Sequence, residues 1–384
     1  MAARRRASTR QAALAVAVAV LLVAGLSVWG AATLASSTIG QEVESGSTPL
    51  RLPFTATGLL GVVDADGELA SAVVIVLDPA GVGGSIVSIA PEADVASGRA
   101  DSSVALADGV ATGGESLFTL DAESMVGIGF DAVLLSDVDR LADLLAPVGP
   151  ITLASVRLDG IEAARIIAEP GIADAAEHLE TDAAVWAALV AAVGEGVPAL
   201  AEAIDPGPLD PDLAPIGMEA LLRRLFAGPV GHRTMPVRTL VPAGDDTDEI
   251  VSHDWSEMLV VMAQIAPLRV AAPFAASTVR VVAPAGVDAA IEAVDRLGLA
   301  GLNVVSVDTT AGPVPDVTRV LVGGPEALED AAAFGLVVGP VETAVIDRRV
   351  EGVDVVIELG ESFTADLDRA IADDLVGSLF APGS

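Results

Sequence analysis

Apolar and polar positions follow two periods along this chain, and the places where they change mark its elements. In "GLLGVVDADGELASAVVIVLDP", from Gly58, an apolar run meets an Asp-Ala-Asp-Gly turn. A second run, Ala72 to Leu77, follows it. "AGVGG" turns the chain again and "SIVSIAP" alternates as a third strand. From Asp101 the spacing becomes helical: a helix, a break at Gly113-Gly114, a second helix, then a strand in "AVLLSD". "VDRLADLLAPVG" predicts a helix capped by Asp137 or Asp139, with its leucines on one face. "DAAVWAALVAAV", "GMEALLRRLFAG" and "DWSEMLVVMAQIA" predict three more amphipathic helices. Strands alternating with helices in this way predict a three-layer α/β or α+β core.

A second unit starts near Ser277. "STVRVVAP", "VDAAIEAVDRLGLAG", "LNVVSVDT", "TRVLVGG", "PEALEDAAAFG", "LVVG" and "VDVVIELG" read as a β-α-β-β-α-β order, predicting a small α+β sandwich of the ferredoxin-like kind. The expected organisation is therefore 1–11, a short N-terminus; 12–35, an apolar segment; 36–57, a polar linker; 58–270, the α/β domain; 277–363, the α+β domain; and 364–384, an acidic tail.

The segment Ala12–Ala35 carries no charge, and at 1.5 Å per residue it is long enough to cross a hydrocarbon core of ~30 Å. Arg4, Arg5, Arg6 and Arg10 precede it and no acid does, so the positive-inside rule puts the N-terminus in the cytoplasm and the bulk of the chain outside. Its length favours a membrane anchor; "ATLASS" leaves a cleaved signal peptide as the competing reading.

Composition narrows the chemistry. The 384 residues contain no Cys, which excludes disulfides, thiol nucleophiles and iron–sulfur clusters. Hydrophobic residues make up 52% and aromatics only 3%, so the core is built from Ala, Val, Leu and Ile. The formal charge is −34, and all 20 basic residues are Arg. Leaving out the four arginines before the apolar segment, 16 remain against 54 acids, a charge of −38. Such a surface argues against nucleic-acid binding, which needs cations to displace phosphate counterions, and against docking on anionic lipid.

No Walker A, HExxH or GxSxG pattern is present, and without Lys there is no Ser-Lys dyad. His178, His232 and His253 are far apart, none with a second His at ligand spacing. Gly323 and Gly324 precede Pro325 and read as an ordinary helix start. Asp64 and Asp66 fit a tight turn. As carboxylates they also suit a hard cation such as Mg²⁺, with Glu92, Asp94 and Asp101 as further metal candidates if the strand ends are neighbours.

The order of pieces resembles the LytR-CpsA-Psr (LCP) family. "VVIVLDPAGVGGSIVSIAPEAD" looks like its paired strands. "LADGVATGGESLFTLDAESMVGIGFDAVLLSD" matches a later passage at Gly113, Gly114, Gly127 and Asp131, and "LDGIEAARIIAE" a helix start at Leu158, Gly160 and Ala163. The unit at 277–363 resembles the LytR C-terminal domain, with Ala283-Pro284-Ala285-Gly286 in place of the usual Asn-Gly-Thr-Gly turn. The resemblance implies one membrane helix and an extracellular domain that moves glycopolymer from polyprenyl pyrophosphate to the cell wall.

The departures fall on the implied chemistry. Glu92 stands where the resemblance places a pyrophosphate-binding arginine, and Ala168 where a further arginine is expected. The later Arg-Gln pair is missing, and Asp64 is followed by Ala65 and Asp66 rather than by an arginine. Arg99 and Arg165 are the nearby substrate-binding candidates. Three readings follow. One is a membrane-anchored cell-envelope protein that has lost catalysis and binds wall polymer or an envelope protein. The second is an active phosphotransferase using Mg²⁺ held by Asp64, Asp66 and Asp94. The third is a generic extracellular interaction module.

Overall fold

In the computed structural model the chain is described at residues 50–95, 104–169, 175–209, 216–240, 250–267, 269, 277–310, 312–365 and 367. The apolar segment 12–35 lies outside them; among the described residues no helix is long and apolar enough to cross a membrane. The first half runs β1 (Thr57–Val63), β2 (Leu69–Leu77), β3 (Gly84–Ile89), α1 (Leu106–Val126), β4 (Ala132–Ser136), α2 (Val138–Leu145), β5 (Ile151–Leu153), β6 (Val156–Leu158), α3 (Gly160–Ile167) and α4 (Ala175–Val193). Then come α5 (Pro198–Ala203), α6 (Met218–Leu225), β7 (Val230–Thr234), β8 (Val237–Leu240), β9 (Ile250–His253) and α7 (Trp255–Ile265).

Five of these strands form a mixed sheet in the order β4-β1-β2-β3-β7. β2 lies at its centre, antiparallel to both β1 and β3, and all nine of its residues are buried. Because side chains alternate across a strand, Ala72, Val74 and Val76 enter one apolar cluster with α1 and α7. Val73, Ile75 and Leu77 enter another with α2, α3, α4 and α6. The three-layer α/β core expected from the pattern is the architecture observed. The break expected at Gly113-Gly114 is a kink at Gly114, and Asp137 caps α2 by accepting a hydrogen bond from the Arg140 N–H.

The second sheet contains β10 (Thr278–Val282), β11 (Asn303–Asp308), β12 (Thr318–Val322), β13 (Val341–Val345) and β14 (Val355–Glu358), with α8 (Val287–Leu299) after β10. Its order is β11-β10-β14-β12-β13, and only β12–β14 is antiparallel. This differs from the ferredoxin-like expectation, in which neighbouring strands run antiparallel. "LVVG" lies in a helical turn, Gly335–Val338, and "VETAV" forms the strand instead. With helical segments joining β10 to β11 and β12 to β13, each pair closes as a parallel crossover unit, and β14 completes the sheet between them.

α7 joins the two halves. Seven of its eleven residues are buried, around its whole circumference, because it packs between α1 on one side and α8 with β11 on the other. Both apolar clusters close within Ser47–Ser384, which forms one compact unit, so this stretch holds what it needs to fold alone. The chain enters it at Leu50, whose N–H donates to Arg349 O and whose carbonyl accepts from Glu351 N–H, both at 2.8 Å.

One polar clip pins the start of β1 to β4. Asp131 Oδ2 accepts from the Thr57 N–H at 2.8 Å, and its Oδ1 accepts from Arg269 Nη2 at 2.9 Å. Arg269 also donates to Gly129 O and lies 5.4 Å over the Phe54 ring. Asp131→Ala removes the acceptor of both bonds and leaves a half-buried guanidinium short of its counter-charge. In urea unfolding of Ser47–Ser384 it is expected to cost about 2–3 kcal/mol, as lost hydrogen bonds to charged groups do. A midpoint unchanged from the parent would refute the clip's role.

Candidate functional site

β3 ends at Ile89, and the turn after it, Ala90 to Val95, is tied down on every side. The Ala93 N–H donates to Ala90 O, Asp94 N–H to Val251 O, Leu106 N–H to Ala93 O and Ala107 N–H to Pro91 O. His253, at the end of β9, accepts from the Ala90 N–H through Nε2 at 3.1 Å and faces Pro236 O through Nδ1 at 3.1 Å. That pair of partners requires the neutral ring with its proton on Nδ1, and burial accordingly lowers the pKa of His253. The rim is rigid because its backbone groups are spoken for.

Glu92 points back into the fold rather than outward. Its Oε1 meets His178 Nδ1 at 2.7 Å, and His178 is buried near the start of α4. One turn further along the same helix face, Asp182 Oδ2 accepts from Ser71 Oγ of β2 at 3.0 Å. Trp186, fully buried, comes one turn later. The spacing His178–Asp182–Trp186 is four residues each time, so one stripe of α4 carries an imidazole, a carboxyl group and an indole into the protein. This was the readable sign of the cluster: two titratable residues on an otherwise apolar face.

The electrostatics of the cluster are those of a buried acid–histidine–acid group. The hydrogen bond with Glu92 raises the His178 pKa, and the charges of Glu92 and Asp182 add to it against the desolvation. Burial pushes Asp182 from its ordinary 3.8 up to about 7, with the Ser71 bond and His178 pulling it back. Ser71 donates to Asp182 and not to His178; the hydroxyl–imidazole contact near the rim is a different one, Ser88 Oγ of β3 with His232 Nε2 of β7 at 3.0 Å, where burial lowers the His232 pKa. Glu92 Oε2 is buried without a hydrogen-bond partner, while the Trp186 side chain also pulls the Asp182 pKa down and the Ala70 backbone adds to the rise at His178, contacts too loose to count as well-formed hydrogen bonds.

The other candidate residues are separately employed. Asp64 Oδ1 accepts from the N–H groups of Asp66 and Glu68, the arrangement of a tight Asx turn, while the Asp66 side chain is exposed. Asp94 Oδ1 accepts from the Val104 N–H and closes the rim against α1. Arg165 lies exposed in the last turn of α3. Ala168, where an arginine was expected, is buried at the C-terminal end of α3, 5% exposed. Arg99 and Asp101 lie outside the described residues. Among the described residues no three His, Asp or Glu side chains come together in a way that would hold a metal ion.

The first sheet is packed against helices on both of its faces. On one face Leu60, Val73, Ile75, Ile86 and Trp186 are at 0% exposure; on the other Leu59, Val74, Val87, Ile89 and Phe118 are also at 0%. Both faces are packed shut at these positions.

No protein-family profile matches the sequence, and no curated protein does. Solved structures do resemble it. TagV of B. subtilis is 16% identical, with 54% of this chain and 94% of that one covered and a TM-score of 0.39. TagT of B. subtilis is 15% identical over 58% of this chain and 91% of that one, TM-score 0.39. The LytR-CPS2A-psr family protein YwtF (TagT) with bound octaprenyl pyrophosphate lipid is 15% identical over 56% and 87%, TM-score 0.36. At these scores the likeness establishes neither activity nor ligand for this chain.

The raised pKa values give this cluster a pH dependence of its own. Between pH ~4 and 7 the folded state keeps a proton on Asp182 that the unfolded state has lost, so the contribution of Asp182 to stability falls as pH rises through this window, while the lowered pKa values of His232 and His253 act in the opposite direction as pH rises toward 6.5. His178, also raised, extends the fall above its ordinary 6.5. Asp182→Asn is expected to flatten the thermal midpoint between pH 4 and 7 and to leave the protein more stable than the parent at pH 8. An unchanged slope would show that Asp182 titrates normally.

Proposed function

We propose that the chain is a membrane-anchored, extracytoplasmic cell-envelope protein of LCP-like build. On this reading it binds wall glycopolymer or an envelope partner and does not transfer polymer itself. The LCP-like part of the reading rests on the motifs between Gly58 and Glu169, and the anchor on Ala12–Ala35 with its preceding arginines. The observation that carries the absence of transfer is the closed sheet beneath an inverted rim. Where a guanidinium would hold pyrophosphate, Glu92 presents a carboxylate already bonded to His178. A carboxylate repels a diphosphate unless a cation lies between them, and of the acids that might hold one Asp64 and Asp94 already accept backbone hydrogen bonds.

The experiment is direct. Ser47–Ser384 is incubated with Mg²⁺ and a glycopolymer on polyprenyl pyrophosphate. In parallel it is soaked with octaprenyl pyrophosphate, the lipid bound in the similar YwtF, and checked by native mass spectrometry. No turnover above background and no retained lipid are expected. Turnover that disappears in Asp64→Ala would overturn the reading in favour of a live, Mg²⁺-dependent phosphotransferase.

A further inference from the structure

Away from the rim, a cleft of about 540 Å³ opens where β8, β9, α7 and α8 meet. Its wall includes Trp255, which is 38% exposed in a chain with only three tryptophans and no tyrosine. The indole is seated on helix backbone: a Cβ added at Gly298 of α8 would sit 2.9 Å from its Cζ3 and 3.1 Å from its Cη2. Glycine in a helix costs about 1 kcal/mol relative to alanine, and here its lack of a side chain is what lets the ring lie against α8.

The polar groups around the ring are held in place. Asp254 accepts from the Glu257 N–H and pairs with Arg238 at 2.7 Å. Asp295 accepts from Ser256 Oγ at 2.9 Å, and Glu292 from Arg296 Nε at 2.7 Å. A carboxylate offers about four lone-pair positions, so each keeps capacity for a ligand while its orientation is fixed by a neighbour. Of the nine lining residues only Trp255 and Ile291 are apolar. The cleft thus offers one flat aromatic surface surrounded by oriented hydrogen-bonding groups, at a junction between two halves of the fold, where ligand sites concentrate.

We infer that this cleft is a glycan subsite for a neutral pyranose, stacked by its C–H face on Trp255 with its hydroxyls donating to Glu292 and Asp295. Three carboxylates against the one arginine disfavour a phosphate-bearing unit, as does the overall charge of −34. The larger trough of about 900 Å³ on the second sheet is less suited to a sugar: it has no aromatic ring, and its polar wall is set by three arginines, Arg280, Arg319 and Arg348, of which Arg280 is paired with Asp308 and Arg319 faces Glu358. The subsite deepens the binding-protein reading and rests on it for the source of the glycan. The two fail separately: polymer transfer would overturn that reading, whereas the subsite is judged by sugar binding alone.

The test titrates Ser47–Ser384 with chitotetraose and with maltotetraose, following tryptophan fluorescence and calorimetry. This fragment contains only Trp255 and the fully buried Trp186, so a ligand-dependent change reports on Trp255. Saturable binding of at least one sugar is expected, weakened about tenfold or more by Trp255→Ala, as truncating an aromatic anchor does. Trp255→Phe is expected to retain most of the affinity. Gly298→Ala favours the helix yet intrudes on the ring, so it is expected to weaken binding with no loss in thermal midpoint, separating ring placement from folding. The inference is overturned if neither sugar saturates below ~10 mM, an affinity too weak for a built site. It also fails if Trp255→Ala binds as the parent does, or if poly(glycerol phosphate) or an arginine-rich peptide occupies the cleft instead.

Discussion

The central strand of the first sheet, "LASAVVIVL", has no face it can show to water. Each fully buried Val, Leu or Ile contributes about 1.5–3 kcal/mol over its exposed state, and β2 buries such residues alternately upward and downward. A strand of that kind must have a strand on each edge and a helical layer on each face. The other elements follow from it: α1 and α7 on one side, α2 to α6 on the other, and β1 and β3 alongside. With aromatics at 3%, this packing is reached through many small branched side chains, which fill space without leaving gaps.

That same packing bears on chemistry. A site that admits a long lipid chain needs a loosely filled interior, and a site that holds diphosphate needs outward-facing cations. Here the interior is filled at the sampled positions of both faces, and the rim turns its acid inward to a histidine. The Glu92–His178 pair is more than a surface decoration. The Glu92 side chain is 37% exposed but that of His178 only 9%, so the pair closes the rim from within.

Much of the fold could be read directly. β1 to β4, the Gly114 kink, the Asp137 cap and the helices at Trp186, Leu221 and Met258 all follow from apolar period and cap chemistry. Three parts could not. The β5–β6 hairpin turns on Ala154 and Ser155, both with positive φ, without the Asn-Gly or Asp-Gly pair that usually announces such a turn. β7, "VGHRT", has too few apolar residues to show alternation, and it is recognised only by its pairing with β3. In the second sheet the strand directions depend on non-local pairings. The site was the least legible: Glu92 and His178 are 86 residues apart, and only the polar stripe on α4 hinted that they meet.

The parallel bridge between Leu50 and Val350 has a mechanical meaning. Residues that lead into the first sheet touch down first on a loop of the second, through two backbone hydrogen bonds and the exposed Arg51–Glu351 pair. Tension arriving along the chain from its N-terminal side is therefore borne at this bridge before it reaches β1.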